Sequence, residues 1–208
     1  MLYFMRKKIF LIVFLLSLIF LLYSCDDGPG ISPLPPDAVI LSFGDSITHG
    51  TGAAKDQSYP SLLEQLTGYR VINAGVPGET TEGGVARLAG LLEKHRPNLV
   101  ILCEGGNDFL RRRSTAKAKE NLDRMIQQIR YSGADVILLG VPQLGLFLES
   151  SPIYEELATH HEIPLLAEVL PDILGDRDLK SDQIHPNAAG YRQLAERIAE
   201  AIDDLQAR

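Results

Sequence analysis

Apolar residues follow two different spacings along the chain from residue 38 onward. Short apolar runs bounded by Gly and Pro predict buried strands, and apolar residues that recur every three or four positions predict amphipathic helices. The predicted strands cover residues 38–43, 70–73, 98–103, 135–140 and 164–167. Helices are predicted over residues 59–66, 81–95 and 114–132, after Ser151-Pro152, and from about residue 186 to the C-terminus. This alternation predicts an α/β sandwich around one parallel sheet of five strands.

The carboxyl ends of these strands are where chemistry is expected, because open parallel sheets bind their ligands there. Four loops in these places combine glycines with polar residues: Gly44-Asp45-Ser46, residues 73–81, residues 104–108 and residues 181–187. We expect the four loops to meet on one edge of the sheet.

The contents of these loops favour nucleophilic acyl chemistry. A serine hydroxyl such as that of Ser46 is a weak nucleophile until a base takes its proton, and that base must be oriented by a third group. His185 and Asp182 can supply both functions, since they lie three positions apart in one turn and Pro186 keeps His185 out of a helix. The alternative is a simple turn in which Asp45 or Ser46 caps a helix.

The same loops offer donors for the oxyanion of a tetrahedral intermediate. Such an intermediate needs fixed hydrogen-bond donors that are already in place. The Ser46 amide, the Gly78 amide and the Asn107 side-chain amide come from three different loops and could converge on one point.

Taken in order, four short motifs resemble the sequence blocks of the SGNH (GDSL-type) hydrolase family: Gly44-Asp45-Ser46, Gly78, Gly105-Gly106-Asn107-Asp108 and Asp182-x-x-His185. The resemblance covers about residues 38–205 and looks closest to the bacterial thioesterase I, lysophospholipase and arylesterase branch. It implies a flavodoxin-like three-layer α/β/α fold and serine-dependent ester hydrolysis without a metal or cofactor. By this match Ser46 is the nucleophile, His185 the base and Asp182 its orienting group, and Ser46, Gly78 and Asn107 form the oxyanion hole.

Length and charge narrow the class of protein. The chain has 208 residues, of which 45% are hydrophobic, so one domain with a sizeable core is expected. The formal net charge of −7 argues against a nucleic-acid surface. Neutral, cationic or apolar partners are expected instead.

The N-terminus is predicted to lie outside the fold. Residues 6–8 are basic and residues 9–22 almost wholly apolar, which is typical of a signal peptide and short for a membrane span. Leu22-Tyr23-Ser24-Cys25 resembles a bacterial lipobox, in which the cysteine is lipidated. We therefore predict a signal peptide (1–24), a lipidated Cys25 that begins a Pro- and Gly-rich tether (25–37), and the hydrolase domain (38–208).

This arrangement predicts a membrane-anchored lipoprotein of a bacterial cell envelope, facing the periplasm or the exterior. An uncleaved signal anchor is the alternative. The sequence leaves open which membrane holds the anchor, although Asp26 resembles an inner-membrane retention signal.

The substrate is predicted to be a short to medium acyl ester or thioester, or a lysophospholipid. Residues 142–148 are unusually apolar, so they either contact the acyl group or pack into the core. O-acetylated polysaccharide is an alternative substrate, and a non-catalytic envelope lipoprotein is an alternative function. An α/β-hydrolase is disfavoured, because Thr48 stands where its Gly-x-Ser-x-Gly motif requires the second glycine.

The remaining reactive residues are predicted to have structural rather than catalytic roles. Cys103 lies in an apolar strand pattern, so we predict a core residue and no disulfide with Cys25. The histidines of His160-His161-Glu162 are predicted to be solvated at a helix end, with no metal. Asp45 and Asp108 are predicted to stabilise turns.

Overall fold

The molecule is built around one parallel β-sheet, in a computed structural model that describes residues 28–143 and 148–208. The strands are β1 (Val39–Gly44), β2 (Arg70–Gly75), β3 (Leu99–Cys103), β4 (Asp135–Leu139) and β5 (Leu165–Leu166). They are arranged in the order β2-β1-β3-β4-β5. This is the strand order of flavodoxin-like folds, and the predicted five-stranded parallel sheet is confirmed.

Helices cover both faces of the sheet. In the described part of the chain they are α1 (Ser46–His49), α2 (Tyr59–Thr67), α3 (Thr81–His95), α4 (Gly106–Leu110), α5 (Thr115–Tyr131), α6 (Pro152–His161), α7 (Val169–Gly175) and α8 (Ala188–Gln206). Helix α2 packs against α8, while α3 and α6 pack against α5. Right-handed crossovers place these two groups on opposite faces, which gives the predicted three layers.

Strand β3 shows why the sequence predicted the sheet so directly. All five of its residues are fully buried, because both faces of the central strands are covered by helices. Such strands read as continuous apolar runs rather than as alternating patterns. Burial of one side chain such as Ile101 contributes about 1.5–3 kcal/mol.

The long helices follow their predicted apolar faces, whereas α4 and α7 were not predicted and α1 was offered only as an alternative, capped by Asp45 or Ser46. Helix α8 buries Leu194, Ile198, Ile202 and Leu205, as its spacing predicts. Helices α1, α4 and α7 have between four and seven residues, so they are too short for a helical period to show in the sequence. Two of them, α1 and α4, carry candidate site residues.

The described part of the predicted tether lies against the domain. Residues 28–37 contain no helix or strand. The Ile31 amide donates to the Leu205 carbonyl (3.1 Å), and the Ser32 amide donates to Asp135 Oδ2 (2.7 Å). Because Asp135 begins β4 and Leu205 lies near the end of α8, this segment is attached where the strands begin. The candidate site lies at the opposite edge.

Several predictions about the N-terminus concern residues outside the described ranges. The predicted signal peptide and Cys25 fall within residues 1–27, so the domain boundaries stay predictions. Among residues 28–143 and 148–208, none of the helices has both the length and the apolar character that a membrane span requires.

Candidate active site

The turn after β1 presents Ser46. Asp45 is the N-cap of α1 and accepts a hydrogen bond from the Ile47 amide (3.1 Å), and half-buried Ser46 is the first helical residue. A Cβ on Gly44 would lie 2.2 Å from the Cys103 carbonyl oxygen, so only glycine allows this close approach. The capping role of Asp45 and an accessible serine therefore occur together.

Ser46, His185 and Asp182 form a continuous hydrogen-bonded chain. His185 Nε2 lies 2.9 Å from Ser46 Oγ, and His185 Nδ1 lies 2.7 Å from Asp182 Oδ2. In a neutral imidazole, Nδ1–H donates to the carboxylate and Nε2 accepts from the hydroxyl. The structure brings the three predicted residues together, and their catalytic roles stay a prediction.

Asp182 is held as an anion beside the ring. Its Oδ1 accepts hydrogen bonds from the amides of Ile184 (2.8 Å) and His185 (2.9 Å). Burial alone would raise the pKa of Asp182, but the His185 ring and these two amides outweigh it and lower the pKa. The carboxylate therefore stays ionised at neutral pH and fixes which nitrogen of His185 carries the proton.

The loop that carries His185 is closed by its own backbone. The Ser181 amide donates to the His185 carbonyl (3.0 Å), and Lys180 pairs with Pro186 in an isolated bridge. Asn187 then caps α8 by accepting hydrogen bonds from two amides of its first turn. His185 thus lies in a rigid, non-helical turn, as Pro186 predicted.

Asn107 lies at the start of α4, directly after β3. Its Nδ2 donates a hydrogen bond to Asp45 Oδ2 (3.1 Å). A primary amide has two N–H groups, so the second remains able to point toward a substrate at Ser46. Asp45 therefore orients the side chain predicted to bind the oxyanion, which sequence analysis did not foresee.

Gly78 forms the turn after β2 with a left-handed backbone (φ 78°), which favours glycine. Arg111 Nη2 donates to the Gly78 carbonyl oxygen (2.8 Å) and holds this turn from outside. Neither the Gly78 nor the Ser46 backbone N–H is hydrogen-bonded to another described residue. Both are therefore available as donors.

Asp45 and Glu104 are buried carboxyl groups at the base of the site. Burial raises the pKa of Asp45 to about 6, against the opposing effects of the Ile47 amide, the His185 charge and the Asn107 amide. Burial and the nearby Asp45 carboxylate raise the pKa of Glu104 well above its usual range. The neutral form of Glu104 is therefore favoured, and neither of its oxygens has a hydrogen-bond partner in the described structure.

A half-buried ion pair, also missed by sequence analysis, joins the loops after β1 and β2. Arg87 Nε lies 2.8 and 2.7 Å from the two Glu79 carboxylate oxygens. Arg87 Nη2 also donates to the Gly44 carbonyl (3.1 Å), and the guanidinium lies 4.0 Å from the centre of the Phe43 ring. Arg87 therefore links Glu79, the residue after Gly78, to Gly44, two residues before Ser46. Glu79 and Arg87 lie eight positions apart, one in a loop and one in α3, so no helical spacing indicates the pair.

Asp108 connects two loops. Its carboxylate accepts from the Thr81 amide (2.8 Å) and the Thr81 hydroxyl (3.0 Å), and Asn121 Nδ2 donates to that hydroxyl (3.0 Å). The structural role predicted for Asp108 is right, but it joins α4 to the start of α3 rather than stabilising its own turn.

An apolar crevice opens beside Ser46 on the side of β3 and β4. Val141, Pro142 and Leu148 lie on its wall, so both described ends of the predicted acyl-contacting loop reach the site. Residues 144–147 fall outside the described residues. The other apolar residues that line the crevice are Ile47, Phe109, Leu110, Leu174 and Ile184.

Other predictions from single residues have mixed outcomes. Cys103 is a fully buried core residue, as predicted, and burial raises the pKa of its thiol. His160 is exposed, but His161 is buried, so the prediction that both are solvated is wrong for His161. Arg111-Arg112-Arg113 forms a short basic run, and Arg111 lies beside the Gly78 turn.

Comparisons with known proteins point to one family. Residues 42–193 match the model of the GDSL-like lipase/acylhydrolase family. Esterase TesA of Pseudomonas aeruginosa is 35% identical over 177 residues, covering 80% of this chain and 88% of that protein. An arylesterase of Vibrio mimicus is 32% identical, covering 78% of this chain and 87% of that protein.

A solved structure shares the fold. The crystal structure of the psychrotrophic esterase EstA from Pseudoalteromonas sp. superposes with a TM-score of 0.75 at 23% identity, covering 83% of this chain and 100% of that one. At this identity the likeness shows the fold alone, which is the three-layer arrangement described above.

Proposed function

The chain belongs to the GDSL-like lipase/acylhydrolase family, and on that premise we propose that it is a serine esterase that acts on short to medium acyl esters through an acyl-enzyme at Ser46. The hydrogen-bonded chain from Ser46 through His185 to Asp182 is the observation that carries this proposal. The esterase and arylesterase names of the relatives agree with it.

Acylation begins at the Ser46 hydroxyl. His185 Nε2 removes the hydroxyl proton as Oγ attacks the ester carbonyl carbon, and Asp182 stabilises the resulting imidazolium. The carbonyl oxygen becomes an oxyanion that accepts hydrogen bonds from the Ser46 and Gly78 amides and from Asn107 Nδ2. The intermediate collapses when the C–O bond to the alcohol breaks and His185 gives its proton to the leaving oxygen.

Deacylation repeats these steps with water. His185 takes a proton from water, the hydroxide oxygen attacks the acyl carbon, and the bond to Ser46 Oγ breaks. The proton on His185 returns to Oγ, so the carboxylic acid leaves and the enzyme is restored. Removal of one oxyanion donor such as Asn107 should cost about 3 kcal/mol in the transition state.

The apolar crevice supports an acyl group of limited length. Its apolar lining residues are contributed by the short helices α1, α4 and α7 and by two loops, and Ile47 and Leu110 lie on the wall next to the nucleophile. Each methylene buried there contributes about 0.8 kcal/mol to binding. An acyl chain therefore gains affinity with length until it fills the crevice.

The position of the tether favours dissolved esters over lipids of the anchoring membrane. In this proposal Cys25 carries the lipid, as the sequence before it suggests, and the chain reaches the domain at Ile31 and Ser32. That attachment lies where the strands begin, and Ser46 lies past their opposite ends. A five-residue strand is about 17 Å long, and this length separates the attachment from Ser46. The site therefore faces away from the anchored side.

Hydrolysis of p-nitrophenyl esters from acetate to decanoate by the purified full chain tests the activity. We expect turnover that disappears in Ser46→Ala and an optimum at short or medium chain length. Turnover that persists in Ser46→Ala would overturn the serine mechanism. Activity confined to O-acetylated polysaccharide, or to lysophospholipid vesicles, would overturn the proposed substrate class.

Lipidation is tested separately with Cys25→Ser and, as a matched control, Cys103→Ser. In cells grown with labelled palmitate, we expect label in the wild type and in Cys103→Ser, and none in Cys25→Ser. Equal label in all three chains, or label in none, would refute the anchor without affecting the esterase proposal.

A further inference from the structure

Three metal-ligating side chains meet between α5 and α6, far from the candidate active site. The ligand atoms of Asp123, His160 and His161 all lie within 4.8 Å of one another. Asp123 belongs to the middle of α5, while the two histidines end α6. In the sequence His160 and His161 are only neighbours. The fold places the Asp123 carboxylate beside them.

We propose that this cluster is a zinc-class divalent metal site that joins α5 to α6. Two imidazoles and one carboxylate are a ligand set that Zn²⁺ accepts, with a fourth position left for water. This site is independent of the proposed esterase function. The hydrolytic mechanism at Ser46 does not use it.

Two of the three ligands are already held in place. His161 is buried, and its Nε2 lies 2.6 Å from Asp123 Oδ1. Gln127 Nε2 donates to Asp123 Oδ2 (2.7 Å), and Arg130 Nη1 donates to the His161 carbonyl (2.8 Å). Partners of this kind orient ligands at known metal sites.

His160 is the ligand that would close the site. It is exposed, and its ring centre lies 4.8 Å from that of His161. Bonds of about 2.0–2.2 Å to Zn²⁺ place tetrahedral ligands roughly 3.3 Å apart. The His161–Asp123 pair must therefore open slightly and His160 must turn inward, which an exposed side chain can do.

Access and charge also suit a cation. The groove beside the cluster opens to solvent and includes Glu120, Glu155 and Glu156. One lysine in the groove, Lys119, is paired with Glu156. An ion therefore has an entry path between acidic side chains.

The test is Zn²⁺ binding to the purified, EDTA-stripped full chain, measured by competition with a chromogenic chelator. We expect one Zn²⁺ per chain, and at least about 100-fold weaker binding in His160→Ala and Asp123→Asn. Gln127→Leu should weaken binding by roughly 10–100-fold, as loss of an outer partner does. His95→Ala is the matched control, since it removes a half-buried histidine at the end of α3, outside the cluster.

Two results would overturn the site. One is an equal affinity for Zn²⁺ in His160→Ala and the wild type, which would show that His160 is not a ligand and that His161 and Asp123 only form a hydrogen bond. The other is loss of esterase activity at one equivalent of Zn²⁺, which would place the ion at His185. His160→Ala is not expected to disturb folding, because the side chain of His160 is exposed.

Discussion

Asn107 Nδ2 donates a hydrogen bond of 3.1 Å to Asp45 Oδ2. Asp45 is the residue just before the candidate nucleophile, and its other oxygen caps α1. One buried carboxylate therefore orients both the helix that begins with Ser46 and the amide predicted to bind the oxyanion. Asp45 acts through Asn107 and does not touch the reacting atoms, so it is a positioning residue.

Replacement of this carboxylate should impair turnover more than binding. Asp45→Asn keeps an oxygen for the Ile47 amide but turns an NH2 group toward the NH2 of Asn107, so that hydrogen bond is lost. We expect kcat for p-nitrophenyl acetate to fall on the order of 10–100-fold, less than full removal of a donor costs, with KM nearly unchanged. Asp108→Asn is the control, because Asp108 contacts Thr81 rather than Asn107. A rise in KM alone would contradict the positioning role.

Asp45 also predicts how stability changes with pH. Burial raises the pKa of Asp45 from 3.8 to about 6 in the folded protein. At pH values between these two numbers the folded protein therefore binds more protons than the unfolded chain. The free energy of unfolding should therefore fall as pH rises from about 4 to 6, by on the order of 3 kcal/mol from this group. Urea unfolding at several pH values should show a shallower decline in Asp45→Asn. Parallel curves for the two proteins would refute the raised pKa.

The fold was predictable from sequence where burial imposes a pattern. Strand β3 is covered on both faces, so all its residues are apolar, and α3 has the predicted bounds because its apolar spacing is regular. The short helix α4 was missed and α1 was predicted only as an alternative, because four or five residues show no period. Tertiary contacts, rather than local preference, decide such elements.

The candidate site was predictable in its reacting groups and its oxyanion donors, but not in the contacts that support them. Ser46 and His185 could be identified because the chemistry requires a nucleophile and a base, and both residues lie in loops that follow strands. The supporting contacts are different, since the Asp45–Asn107 bond joins residues 62 positions apart and the Asp123–His161 contact joins residues 38 apart. No local pattern encodes such pairs, so they needed the structure.

The crevice predicts how chain-length preference can be altered. Leu148→Asp would put a charge on the acyl-contacting wall, and a charge is costly next to apolar groups. We expect activity on p-nitrophenyl hexanoate to fall at least about tenfold more than activity on the acetate. Leu66→Asp on α2 is the control, since Leu66 is an exposed leucine outside the crevice. An equal loss on both esters would mean that Leu148 only supports packing.

The Glu79–Arg87 pair predicts a non-additive effect on stability. The Glu79 side chain is only 8% exposed, so Arg87→Met would leave a nearly buried carboxylate without its partner. Loss of one member of a fully buried pair costs about 3–5 kcal/mol, and we expect a smaller loss here because the Arg87 side chain is 24% exposed. Replacement of both members costs less than loss of one. We therefore expect Glu79→Gln/Arg87→Met to be more stable than Arg87→Met alone in guanidinium unfolding. The single variant Glu79→Gln is measured alongside. If the stability losses of Glu79→Gln and Arg87→Met simply add in the double variant, Arg87 stabilises the protein through Phe43 and the Gly44 carbonyl rather than through Glu79.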